Sequence, residues 1–128
     1  MAADIPQIAG PGNFDIEVVG ESNYQAQLIK ICGSPSRDGV NQEVRAFLLL
    51  ENDNKFDRKA VMVVIGGGKV GYLPRDLARE FRAAIIAGGL REYSMFECAA
   101  LIRGGWDRGR NDNGSYGVWL DLPDDESD

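Results

Sequence analysis

Residues 60–88, AVMVVIGGGKVGYLPRDLAREFRAAIIAG, constrain the fold more than any other part of the chain. Two apolar runs, AVMVVI and KVGYL, flank Gly66, Gly67 and Gly68. Three glycines supply the positive backbone angles that a tight hairpin needs. Pro74 suits the first position of a helix, and Asp76 is favoured in a first turn. Leu77, Ala78, Phe81 and Ile85 then recur on one helical face, with Arg75, Arg79 and Arg82 off it. Gly88 is a stop signal. The segment predicts strand, turn, strand, helix.

The flanking sequence adds strands. In FDIEVVG, Phe14, Ile16 and Val18 alternate with Asp15 and Glu17, the period of a half-buried strand. YQAQLIKIC, residues 24–32, is expected to form a second strand or a bulged one. Residues 33–42, GSPSRDGVNQ, have loop composition. EVRAFLLLE puts Val44, Ala46, Leu48 and Leu50 on one strand face. MFECAALIR and YGVWLDL read as the last strands, separated by a glycine-rich turn, GGWDRGRNDNGS. The expectation is a mainly β (α+β) domain of about six to seven strands and one main helix, curled into a small closed or partly open barrel. At 128 residues the chain suits one domain. Residues 1–13, with Pro6, Gly10, Pro11 and Gly12, read as a flexible arm, residues 14–122 as the domain, and residues 123–128 as an acidic tail.

Several function classes drop out early. The chain has no histidine, which removes the Ser–His and Cys–His nucleophile pairs and the commonest zinc ligand. No catalytic constellation, metal site or cofactor motif emerges, and a non-enzymatic role is expected. Cys32 and Cys98 are too few for a disulfide framework and predict reduced thiols in a cytoplasmic setting. The first residues lack a basic segment followed by an apolar block, so no secretory leader is expected. The longest apolar run, Ala60 to Ile65, falls far short of the about 20 residues of a membrane span, and no membrane partner is expected. Net charge is −6, which speaks against broad, non-specific nucleic-acid binding. Yet eleven of the 14 basic residues lie between Lys55 and Arg110, so one face can be locally basic.

The polar knot ENDNKFD, residues 51–57, raises the functional question. Its acids do not fit a calcium loop: counting from Asp53, Lys55 and Arg58 stand where an oxygen ligand and a glycine belong. A magnesium-dependent nuclease site has no further acid at a suggestive spacing. IGGGKVG fails as a phosphate loop, because Lys69 is followed by Val70 and another strand. Asn and Asp also close turns by bonding their own backbone, so a turn and a ligand site both remain open. Trp106, among glycines and arginines in GGWDRGR, fits a binding surface and a long hairpin equally. Tyr24, Phe56 and Tyr72 flank Asn54, Asp57 and Arg75. Aromatic faces with a few donors and acceptors make a base-stacking pocket.

VVGESNYQ, a strand ending in Glu51, then NKFDRKAVMVV and GKVGYLPRDLA, together resemble the HIRAN domain family over about Phe14 to Trp106. The resemblance implies an OB-like β-barrel that binds single-stranded DNA, captures a free 3′ end in the helicase-like eukaryotic members, and serves DNA repair or processing. A helicase or nuclease would be supplied in trans. Position by position, Tyr24 falls near the family's first aromatic, and Asn54, Phe56 and Asp57 fall on its Asn-x-Tyr-Asp. Tyr72 falls on the Tyr or His after Val-Gly, and Arg75 on a following basic residue. The implied roles are stacking for Tyr24 and Phe56, recognition of the terminal nucleotide and its hydroxyl by Asn54 and Asp57, and phosphate or sugar contacts for Tyr72 and Arg75. The chain departs from the family at Asn52 and Lys55, where prolines are usual, and at Phe56, which lacks the tyrosine hydroxyl. A peptide-binding module on the same barrel and a carboxylate-metal nuclease are the competing readings.

Overall fold

The computed structural model describes residues 5–123. Six strands and two helices run in the order β1 (Ile16–Glu17), α1 (Gln25–Cys32), β2 (Val40–Glu51), β3 (Ala60–Ile65), β4 (Gly68–Tyr72), α2 (Arg75–Ala87), β5 (Met95–Asp107) and β6 (Asn113–Asp121). A short 3-10 turn, Glu21–Tyr24, precedes α1. The strands form one antiparallel sheet in the order β1-β6-β5-β2-β3-β4. The domain is therefore mainly β with helices, as its sequence implies.

The sheet curls into a half-barrel whose two edges meet just after β1. Val18 N–H donates to the Val118 carbonyl of β6, while Val19 and Tyr72 exchange both backbone hydrogen bonds at 2.9 Å. Adjacent residues thus reach opposite edges. Gly71 makes this approach possible. Its φ is 150°, and a Cβ there would lie 2.4 Å from Val18 Cγ1 and 2.6 Å from the Val19 carbonyl oxygen.

The hairpin and main helix form where the sequence places them. Gly66 and Gly67, with φ of 63° and 83°, make the two-residue turn between paired Ile65 and Gly68. Pro74 stands one residue outside α2, at its N-cap, and Gly88 caps the other end. Ala78 and Ile85 of α2 are buried, and the Phe81 ring meets Phe96 of β5 edge-on at 5.4 Å. Ala46 and Leu48 of β2, and Val61, Val63 and Ile65 of β3, fill the curl.

Residues 25–32 are a helix, not the expected second strand. Two periods compete in this segment. Alternation links Ala26, Leu28, Lys30 and Cys32, whereas Tyr24, Leu28, Ile31 and Cys32 recur at the helical period. The helical stripe wins: Leu28 is fully buried while Ala26 and Lys30 are exposed. Gln25 secures the helix to β6, its side-chain amide donating to the Tyr116 carbonyl and accepting from the Tyr116 N–H, both at 2.9 Å. Gln27 does the same at the hairpin, where its Nε2 donates to the Ile65 carbonyl at 2.9 Å.

Other boundaries shift. β2 begins at Val40, inside the expected loop, and β5 runs on through Gly104, Gly105 and Trp106. The arm expected to be loose is pinned over residues 6–12. Ile8 N–H donates to the Glu97 carbonyl, Glu97 N–H to that of Pro6, and Gly12 N–H to the buried Asp121 carboxylate. The arm takes the lane beside β5 that β6 vacates after Asp121. The residues expected as an acidic tail lie, from 124 onward, outside the described part. Both cysteines are free, and burial pushes the Cys98 thiol up to about 12. Among the described residues no helix is long and apolar enough to cross a membrane.

Candidate nucleic-acid interface

The polar knot is first of all a built loop. Asn54 Oδ1 accepts from the backbone N–H groups of Phe56 and Asp57 at 2.8 and 3.0 Å, and its Nδ2 donates to Glu51 Oε1 at 2.9 Å. Asp57 Oδ1 accepts from the Lys59 N–H at 3.0 Å. These are the side chain-to-backbone bonds by which Asn and Asp close turns. Asn54 has most of its bonding capacity engaged inside the loop, so it shapes the site more than it reads a ligand.

The loop is locked to α2. Arg82 donates to the Lys59 and Ala60 carbonyls and to Asn52 Oδ1, each at 2.8 Å, and its partial burial lowers its pKa. Asp57 Oδ2 lies 3.3 Å from Arg75 Nε, and Asp57 Oδ1 lies 3.5 Å from an Arg79 amino group. The Lys59 N–H bond, with Arg79 and Arg75 close by, holds the Asp57 carboxyl below the usual carboxylate range. The carboxylate is largely covered, whereas the Arg75 side chain is 66% exposed. Phe56, at the loop's tip, is 91% exposed.

A second group adjoins the first through Glu51. The Tyr72 hydroxyl donates to Glu51 Oε1 at 3.1 Å and accepts from Lys69 Nζ at 2.9 Å. The Lys69 ammonium lies 5.0 Å from the Tyr72 ring centre and 5.6 Å from that of Tyr24, within cation–π range. The Tyr72 bond raises the Lys69 pKa, with Tyr24 and Glu51 adding to it. One continuous set of contacts therefore runs from Tyr24 through Lys69, Tyr72, Glu51 and Asn54 to Asp57, Arg75 and Arg79. All six residues singled out in the sequence belong to it or, for Phe56, to the loop it supports.

Lys69, Glu51, Arg79 and Arg82 join the site without being among its sequence-predicted binding residues. The glycine inside KVGY is the signal that could have found Lys69, because an interior glycine often marks a bulge that re-aims its neighbours. Trp106 follows the hairpin alternative: its ring covers Gly114 across the β5–β6 pair, and its Nε1 donates to Asp112 at 3.3 Å. The chain matches no family model, no curated protein and no solved structure. The face is defined by the geometry above. That geometry offers two partly exposed aromatic rings, one fully presented one, and cations at Lys69, Arg75 and Arg79.

Proposed function

We propose that the domain is a non-enzymatic nucleic-acid-binding module that takes single-stranded DNA, prefers a free 3′ end, and serves DNA repair or processing in the cytoplasm. The carrying observation is Phe56. A phenyl ring 91% exposed does nothing for the core, yet its backbone is fixed by Asn54 beside two arginines. An exposed aromatic on a fixed backbone, one residue from a carboxylate that gathers two arginines, offers a face for a base and cations for its phosphate. Resemblance to the HIRAN family points the same way and supplies the 3′-end preference. In this reading Phe56 and Tyr24 stack bases, and Arg75 and Lys69 meet phosphates. Tyr72 orients Lys69, and Asp57 Oδ2 accepts from the terminal hydroxyl when Arg75 turns to the strand.

The nuclease alternative is tested by magnesium-dependent cleavage of a labelled oligonucleotide. Among the described residues no group of three or more His, Cys, Asp or Glu side chains is placed to hold a metal ion. A peptide on the same face remains the competitor that experiment must remove. Anisotropy of a labelled single strand of about 12 nucleotides, titrated at several salt concentrations, separates the two. Phosphate contacts give a falling log affinity with log salt. Absence of binding at low salt would end the nucleic-acid reading.

A further inference from the structure

Helix α2 has two unlike flanks. Arg75, Arg79 and Arg82 follow one another at intervals of four and three residues and face the 51–60 loop. Leu77, Glu80, Phe81 and Ala84 recur at helical spacing on the other flank. There they form one wall of a groove of about 380 Å3. Ile8, Ile16, Leu122 and Pro123 also line it. The groove is apolar, and the charged side chains that line it, Asp15 and Glu80, are both acids. Pro123 is followed in sequence by Asp124, Asp125, Glu126 and Asp128.

The charge selects the occupant. A second copy would bring its own Asp15 and Glu80 against these in a two-fold contact, like charge on like. The chain's own C-terminal residues offer acids and no large apolar side chain. A segment that buries apolar residues while surrounding them with cations satisfies both the floor and the rim. We infer that this groove is a second, separate binding surface for a partner protein, taking an amphipathic basic helix whose apolar stripe lies against Leu77, Phe81 and Ile16. Helix-in-groove docking has these requirements: an apolar slot of pocket size for residues at i, i+3, i+4 and i+7, and complementary charge at the rim to set register and on-rate. The surface is independent of the nucleic-acid face, since the helix presents its arginine flank there and its apolar flank here.

The test uses the full chain and a labelled peptide of about 18 residues with leucines at helical spacing and lysines elsewhere. Its comparators are a scrambled peptide of the same composition and a version with glutamates for lysines. The striped lysine peptide binds best, and both comparators bind about tenfold or more weakly. Amide resonances of Ile16, Leu77 and Ala84 shift on binding. Ala84→Arg and Glu80→Arg, both at exposed positions, weaken binding about tenfold while the thermal melt stays unchanged. Equal binding of the scrambled peptide, shifts confined to another surface, or wild-type affinity in Ala84→Arg overturns the inference. A dimer in sedimentation that Ala84→Arg dissociates also overturns it, in favour of a second copy.

Discussion

Lys69 Nζ lies 2.9 Å from the Tyr72 hydroxyl, although residues three apart in a regular strand point to opposite faces. A bulge reconciles the two. Val63 pairs with Gly71 and Val64 with Lys69, so Val70 is the extra residue. Val70 and Gly71 both turn inward, leaving Lys69 and Tyr72 on the outer face. The bulge thus builds the ammonium–hydroxyl–carboxylate relay that ends at Glu51.

Lys69→Met is expected to weaken single-strand binding and to make the salt slope shallower by about 0.7, the contribution of one phosphate contact on a single strand. Its raised pKa means the charge is held through the ordinary lysine range, and affinity should not change with pH near neutrality. Anisotropy across salt for both proteins checks this. An unchanged slope would place Lys69 outside the strand's path.

Phe56→Ala should cost about 1–3 kcal/mol of binding with almost no loss of stability, since the residue is 91% exposed. Paired melting curves and titrations separate the two effects. A drop in melting temperature with unchanged affinity would make Phe56 a structural residue.

Gly71→Ala is expected to destabilise the domain by about 1–3 kcal/mol. The new methyl meets Val18 and the Val19 carbonyl at the seam, and φ of 150° disfavours any side chain. Urea unfolding measures it, and a change below about 0.5 kcal/mol would mean that the edges do not close as described.

The legible parts of this fold are those with a single physical reading. Gly66–Gly68, Pro74 and the Ala78–Ile85 face admit one interpretation each, and the hairpin and α2 follow. Residues 25–32 admit two periods, and only the pocket that buries Leu28 and the Tyr116 backbone that receives Gln25 decide between them. Asn54, Phe56 and Asp57 were visible as polar and aromatic residues in one loop. That Arg79 and Arg82 lock this loop to α2 was not, because it depends on how the helix rotates over the sheet. Lys69 was hidden by the bulge, which reverses the strand's parity.

Asp57 should give the loop an acid-sensitive component. Its folded pKa is lowered, so the stabilisation it adds is fully present above the unfolded carboxylate range and is lost as pH falls through the folded value. Asp57→Asn should flatten the stability profile at the acid end. Urea midpoints taken from neutral pH down into the carboxylate range test it. Parallel profiles for the two proteins would contradict the ion pairs with Arg75 and Arg79.

The central claim is that this face reads the end of a single strand, and Asp57 offers the most direct test. Arg75 and Arg79 offset much of its charge, so a 3′-phosphate is penalised mainly by the lost hydroxyl donor. A strand ending in 3′-OH should bind about five- to tenfold more tightly than the same strand ending in 3′-phosphate. Asp57→Ala removes the acceptor and releases two guanidinium groups, so its total affinity should hold or rise while the preference disappears. Anisotropy with the two oligonucleotides on both proteins, at one fixed salt concentration, decides the matter. Equal wild-type affinities for the two ends, or an Asp57→Ala protein that still discriminates, would contradict end recognition at this site.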